Sequence, residues 1–452
     1  MAEKTVKKRE GFASKFGVIA AAAGSAIGLG NIWRFPYITG QNGGAAFILV
    51  YLIMVIFVGI PAMLAEMTIG RRSRRNPVGA FKKLKPNSLW YWVGIMGVFT
   101  GFLILAFYST VAGWTLHYTY LSIINSFCCK TTEGIKALFE NFHTSTFMPI
   151  FWQVIFMFLT GWIVIAGIQK GIERYTKLLM PLLFLILIIL DIRAVTLHGA
   201  KQGLEFLFKF NFSKITGKVI LEAMGQAFFS LSLGMGVLIT YGSYIQEDNN
   251  LSNVAYQVAF YDTLVAILAG IAIFPAVFAF GLKPQSGPGL VFLTLPNIFQ
   301  QMPGGYFFAI LFFLLLVVAA LTSSISLLEV VVAFATEELG LTRKKATIWA
   351  TILITILGIL ATLSFGLLKH VTLFNNTFFD LLNNLTSDYL LPIGGFFIVI
   401  FVGWFMGKQN VYDELSNHGT LKARLFNVYM IFVRYIVPLA ILLVFLYKSK
   451  II

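Results

Sequence analysis

The chain has 452 residues, of which 58% are hydrophobic and only 12% charged. Ordinary soluble domains carry charge on about a quarter of their residues, so a water-soluble fold is excluded. The net charge of +15 does not point to nucleic acid, because the basic residues crowd into short segments between apolar runs.

In chain order, Lys4, Lys7, Lys8, Arg9 and Lys15 lead into the first apolar run, with no pattern of a cleavable signal. The runs fall at 14–38, 43–69, 88–124, 149–168, 172–193, 222–245, 254–282, 305–336, 345–367, 375–405 and 425–447. About 20 residues cross a bilayer, so these predict eleven transmembrane helices in one all-α membrane domain covering 1–452. Arg71, Arg72, Arg74, Arg75, Lys82, Lys83 and Lys85 fill the second connection. Counted over all connections, Lys and Arg favour the side of the N-terminus by about two to one, which places that terminus in the cytoplasm. The odd number of spans then leaves Lys448-Ser449-Lys450 outside. The connections 125–148 and 194–221 read as polar outer loops. Pro288, Pro296 and Pro303 suggest that 287–301, too short to cross, forms a bent cap on the outer surface. Cys128 and Cys129 are adjacent, have no metal spacing around them, and receive no role.

Two runs are interrupted. Gly24, Gly28 and Gly30 break the first, and Gly234 and Gly236 break the sixth about two hundred residues later. Glycine packs little and frees the backbone. Broken spans at matching places in two halves predict a site at mid-membrane depth, where bare carbonyls hold cations and helix N-termini hold an anion. Asp262 lies inside the seventh span, where an ionisable group is costly and usually functional. Thr322 and Ser323 in the eighth, taken alone, read as hydroxyls bonding back to their own helix.

The motifs narrow this further. Residues 24–36 (Gly-Ser-Ala-Ile-Gly-Leu-Gly-Asn-Ile-Trp-Arg-Phe-Pro), followed by Asn42-Gly43-Gly44, resemble the first span of the neurotransmitter:sodium symporters. Residues 171–181 (Gly-Ile-Glu-Arg-Tyr-Thr-Lys-Leu-Leu-Met-Pro) are similar to their fifth span, 225–234 (Gly-Gln-Ala-Phe-Phe-Ser-Leu-Ser-Leu-Gly) to the sixth, and 321–325 (Leu-Thr-Ser-Ser-Ile) to the eighth. The resemblance covers the whole chain and is closest to bacterial eleven-span amino-acid carriers of the leucine and tryptophan transporter type. It implies a 5+5 inverted repeat with unwound helices 1 and 6, with halves at about 14–193 and 222–405 and an extra helix at 425–447. The protein would sit in the bacterial inner membrane, in contact with the lipid bilayer; its oligomeric state stays open.

The resemblance also implies a site. Sodium would be the driving ion at two places: one formed by Ala26, Asn31, Ser230 and Asp262, the other by Gly24, Ile27, Ala319, Thr322 and Ser323. Tyr51, Gln226 and Ser230 match residues that surround chloride in chloride-requiring members. The Asp262 carboxylate would replace that ion, with or without proton counter-movement. Gly28 stands where monoamine carriers place an aspartate, which leaves room for a ligand with its own carboxylate. The substrate would touch Ser25, Ala26, Gly28, Leu29, Gly30, Ile104, Tyr108, Phe229, Ser230, Ser232, Met235, Ser323 and Leu327. Met235 adapts its shape readily, and the pocket suits large hydrophobic or aromatic L-amino acids. Arg34 and Asp380 match an outer gate pair, and Arg9 and Glu337 an inner pair supported by Tyr244 and Glu329. Gly171 and Pro181 would let the start of the fifth span unwind.

The function implied is a sodium-coupled symporter that imports such amino acids by alternating access. A transport-inactive amino-acid-binding sensor on the same fold is the alternative. An enzyme is disfavoured: the five histidines are scattered and neither Glu66 nor Glu329 has a visible catalytic partner.

Overall fold

The computed structural model describes residues 10–281 and 290–449. These form helices, and the described residues contain no strand beyond one isolated bridge between Leu373 and Asn376. The principal helices are α1 (Lys15–Ala26), α2 (Gly30–Gln41), α3 (Ala45–Ser73), α4 (Tyr91–Ile123), α5 (Phe147–Ile165) and α6 (Ile168–Val195). They continue with α7 (Gly217–Ser230), α8 (Val237–Gly242), α9 (Leu251–Ala279), α10 (Gly305–Glu337), α11 (Arg343–Leu363), α12 (Phe378–Phe405) and α13 (Phe426–Lys448). Nine of them are long and apolar enough to cross a membrane, and the bent pair α1–α2 makes a tenth.

All the segments expected to span are helical, with ends displaced by a few residues. The α7–α8 pair is separated by six unwound residues, 231–236, which leaves pieces of 14 and 6 residues, each too short to cross alone. Two connections differ from expectation. The outer loops carry amphipathic helices, Thr132–Thr144 and Ala200–Phe208, whose apolar faces rest on the bundle. The described part of the expected cap is helical too, over Leu290–Thr294 and Leu295–Gln301; Pro288 lies outside the described residues.

The two longest helices, α4 and α10, pack along each other over most of their length. A buried polar chain joins α4 to α5 and α11. Thr110 and Thr362 hydroxyls lie 2.8 Å apart, Thr362 donates to Gln153 Oε1 at 2.7 Å, and Gln153 Nε2 donates to Ser109 Oγ at 2.8 Å. Helices in lipid gain nothing from apolar burial against one another, so such bonds and close packing hold them together. Against this frame lie the broken helices. α1 ends where Ile27 turns extended, and the chain restarts at Gly30 with a 50° bend. α7 ends at Ser230, and Ser232, Gly234 and Gly236 all adopt positive φ. A Cβ at Gly234 would sit 2.4 Å from the Leu391 carbonyl, so only glycine lets that unwound stretch approach α12.

Candidate substrate and sodium site

The two breaks face each other across a narrow cavity. Ser25, Ala26, Gly28, Gly30, Ile104, Tyr108, Phe229, Ser230, Ser232, Met235, Ser323 and Leu327 line it. Leu29 alone of the expected set does not, yet its amide donates to the Tyr108 hydroxyl at 3.2 Å. The structure adds Ser326, whose hydroxyl donates to Ser25 Oγ at 2.8 Å. A Cβ at Gly28 would lie 2.4 Å from Ser323 Oγ and 3.2 Å from the Tyr108 hydroxyl, so the missing side chain is what keeps this corner open.

Beside the cavity, Asp262 is fully buried and gathers the expected partners. Asn31 Nδ2 donates to its Oδ1 at 2.7 Å, Ser230 Oγ lies 2.9 Å from its Oδ2, and the Tyr51 hydroxyl donates to Oδ2 at 3.2 Å. Asn31 Nδ2 also lies 3.0 Å from the Asp262 carbonyl and 3.2 Å from Ser230 Oγ, closing the cluster across the two broken helices. Gln226 Nε2 donates to the Gly30 carbonyl at 3.4 Å, while its Oε1 is buried without a partner. Ala26 lines the cavity nearby and has no polar side chain to join this cluster.

The second set of residues also converges. Thr322 Oγ1 lies 3.4 Å from the Ile27 carbonyl and 3.0 Å from that of Ala319. Ser323 Oγ lies 3.1 Å from the Ser25 carbonyl and 3.3 Å from that of Ile27. Gly24 packs on Thr322, where an added Cβ would be 3.4 Å from the threonine Cβ. The Thr322 hydroxyl bonds to its own helix, as read from sequence alone, that of Ser323 bonds across to the first helix, and both reach the bare carbonyls of the first break. Hard monovalent cations bind oxygen, and buried carbonyls and hydroxyls supply it without formal charge.

Glu66 on α3, seen in the sequence only as a carboxylate with no role, accepts from the Gly234 amide at 2.6 Å and so supports the second break. No pattern in the letters pairs these two residues.

The gates are partly redrawn. Asp380 is exposed in the first turn of α12, exchanging bonds with Thr377 at 2.7 and 3.2 Å, and forms no ion pair with Arg34. The carboxylates whose charge acts on Arg34 are Glu222 and Asp388, and its guanidinium lies 4.3 Å over the Phe229 ring. Asp380 instead follows the Thr-x-x-acid pattern of a helix start. At the opposite end, Arg9 lies outside the described residues. Glu337 accepts from the Asn76 amide at 3.0 Å. The Tyr244 hydroxyl donates to Glu329 at 2.7 Å, and Arg343 pairs with the same carboxylate at 2.6 Å. Glu173 takes three partners there: Ala13 N at 2.7 Å, Ser14 Oγ at 2.8 Å and Lys177 Nζ at 2.5 Å. Gly171 sits in a widened π-helical turn, Ile168–Glu173, against the Ile163 carbonyl, and Pro181 lies within continuous helix; the start of α6 is wound here.

A family model described as the sodium:neurotransmitter symporter family matches residues 9–145 and 135–451. An uncharacterized sodium-dependent transporter of Bacillus subtilis is 41% identical over 435 residues, 96% of each chain. The sodium-dependent neutral amino acid transporter B(0)AT2 of Bos taurus is 30% identical over 297 residues, 59% of this chain and 40% of its own length. The crystal structure of MhsT in complex with L-phenylalanine superposes with a TM-score of 0.90 at 49% identity, over 97% of this chain and all of the other.

Proposed function

This chain belongs to the sodium:neurotransmitter symporter family, a family of sodium-coupled multi-pass membrane transporters and not of enzymes, and from that premise we propose that it imports hydrophobic or aromatic L-amino acids by alternating access. One observation carries the proposal. Two oxygen clusters and an apolar cavity share residues, with Ser230 on one cluster and the cavity and Ser323 on the other.

A zwitterion fits the polar edge of that cavity. Its carboxylate would meet the Leu29 and Gly30 amides and the Tyr108 hydroxyl, and its ammonium the carbonyls near Ser25, Phe229 and Ser232. The Ile104, Phe229, Met235 and Leu327 side chains would receive its apolar part. The solved likeness of MhsT with L-phenylalanine supports an aromatic cargo. Two sodium ions would occupy the clusters around Asn31–Ser230–Asp262 and Ile27–Thr322–Ser323. Shared walls make each cargo strengthen the other's binding, which is what coupling requires.

Asp262 supplies a fixed negative charge beside the first sodium, so transport proceeds without chloride. In this reading eleven spans cross the inner membrane with the N-terminus in the cytoplasm and the Asp262 cluster at mid-depth, in repeats 14–193 and 222–405. The sensor alternative lacks a specific observation in its favour. Uptake of a panel of labelled amino acids into proteoliposomes, with and without an inward sodium gradient, tests the reading. Gradient-driven uptake of phenylalanine, tryptophan or leucine, unchanged when gluconate replaces chloride, is expected. Binding without gradient-driven uptake of any amino acid would hand the case to the sensor.

A further inference from the structure

Cys128 and Cys129 lie away from the transport site, on the connection that follows α4. Both thiols are free and exposed. Adjacent Cα atoms are about 3.8 Å apart, closer than the roughly 4.4 Å minimum of relaxed disulfides. Neighbouring cysteines therefore rarely bring their sulfurs together. Here Cys129 adopts φ +60°, a left-handed conformation uncommon outside glycine, and the two Sγ atoms stand 3.1 Å apart.

The surrounding backbone is anchored. Phe127 packs at 5.7 Å on the Tyr118 ring and at 6.0 Å on Phe313. The Cys128 amide donates to the Asn125 carbonyl at 3.2 Å, and the Tyr306 hydroxyl to the Ile123 carbonyl at 2.9 Å. The Lys130 carbonyl, next to Cys129, accepts from Gln300 Nε2 at the end of Leu295–Gln301. That helix continues from Leu290–Thr294, whose Phe292 covers Trp33 on α2 and Trp114 on α4. The dithiol thus adjoins a residue bonded to the 290–301 segment, the expected outer cover of the bundle.

We propose that Cys128 and Cys129 are a reversible thiol switch, closing to a vicinal disulfide by exchange with a low-molecular-weight disulfide and resetting the outer cover. One cysteine thiolate attacks a sulfur of the small disulfide and expels one small thiol, leaving a mixed disulfide. The neighbouring thiolate then attacks the protein-side sulfur of that mixed disulfide and expels the second small thiol. One S–S bond is lost from the reagent and one is gained in the protein. The two cysteine protons leave on the two released thiols, so the protein is oxidised and the reagent reduced by two electrons. A strained, exposed ring is easily reduced again, as switching disulfides are. Closing it requires a new backbone geometry at Cys129 and displaces the Lys130 carbonyl from Gln300. The outer placement, where oxidants are met, rests on the orientation proposed above; the exchange chemistry does not depend on the cargo.

Carrier reconstituted in liposomes is treated with 2-hydroxyethyl disulfide, quenched with acid, and the peptide bearing both cysteines is weighed. Loss of two hydrogens, reversed by dithiothreitol, is expected. Cys128→Ser should instead keep one hydroxyethylthio adduct on Cys129. Two adducts on one wild-type peptide, or an unmodified peptide, would overturn the switch whether or not the protein transports. Sodium-driven uptake should fall several-fold on oxidation of the wild type, on the scale of one lost hydrogen bond. It should not change in the Cys128→Ser/Cys129→Ser protein. A closed ring with unaltered uptake would overturn its link to the outer cover.

Discussion

Replacing Asp262 by asparagine separates charge from shape at the first sodium cluster. The amide keeps the volume of the carboxylate, and its oxygen can face Asn31 Nδ2, which only donates and now lies 2.7 Å from Oδ1. Its NH2 then faces the Ser230 and Tyr51 hydroxyls, which can turn to accept. The fold loses little, since a buried charge disappears along with its desolvation cost. The sodium site loses a full negative charge. At a separation of about 4 Å and an effective dielectric constant of about 20, that attraction is ~4 kcal/mol. At about 1.4 kcal/mol per decade the half-saturating sodium concentration should rise by two to three decades. Thermal-shift titrations with sodium gluconate in detergent, with choline gluconate holding ionic strength, would read this directly. Chloride should recover part of the loss, because a small anion can sit near Tyr51 and Gln226 where the charge was. A sodium midpoint within about threefold of the parent (roughly 0.6 kcal/mol), in a folded variant, would refute the placement of sodium beside Asp262.

Tyr108→Phe should weaken substrate affinity about 10- to 100-fold, because the proposed ligand carboxylate loses the Tyr108 hydroxyl as donor and a hydrogen bond to a charged group is worth about 1.5–3 kcal/mol; isothermal binding measures it. Gly28→Ala should abolish uptake while the protein elutes normally on size exclusion, since its Cβ would sit 2.4 Å from Ser323 Oγ. Arg71→Ala should destabilise the protein by up to about 3–5 kcal/mol in denaturation, by leaving the buried Glu414 carboxylate, now held at 2.6 Å, with only the more distant Arg72 at 3.4 Å. Arg71→Met with Glu414→Leu should recover only part, because the Asn249 and Glu414 carbonyls still lose their guanidinium donors. Glu338 is held below the usual carboxylate range: its partial burial pushes the other way, but Lys82 at 2.6 Å and Asn76 at 3.0 Å outweigh it. A depressed folded-state value stabilises above the unfolded value and is lost as pH falls through the folded one. Melting temperature should therefore drop below about pH 4.5, and Lys82→Met should flatten that drop.

The broken helices were legible because glycine inside an apolar run adds almost no packing and weakens the helix it interrupts. Gly28 and Gly234 both prove to be positions that a side chain would block. Asp262 was legible for the converse reason, a charge placed where it is costly without partners. Ser326 was within reach: it lies one helical turn beyond Ser323 and shares its face. Glu66 and Arg343 were not, since their partners Gly234 and Glu329 are joined to them only by tertiary packing. Arg34 and Asp380 do not pair with each other here because Asp380 is engaged locally with Thr377 at the start of α12, a helix-start pattern that the motif match did not weigh. The outer connections hid their helices because Thr132–Thr144 and Ala200–Phe208 are short and polar on one side, below the length at which composition alone announces a helix.

The bonds around Glu173 and Glu329 have a consequence for the direction of traffic. Ala13, Ser14 and Lys177 surround one carboxylate, Tyr244 and Arg343 the other, and in the proposed orientation all of them stand at the end facing the cell interior. If the proposed import holds, amino acids accumulated inside would press on that end without any purchase there, because admitting one means stripping two carboxylates of their company before water can take over. A cell's gains are then protected by the stubbornness of the door behind them as much as by the ion current that carried them through.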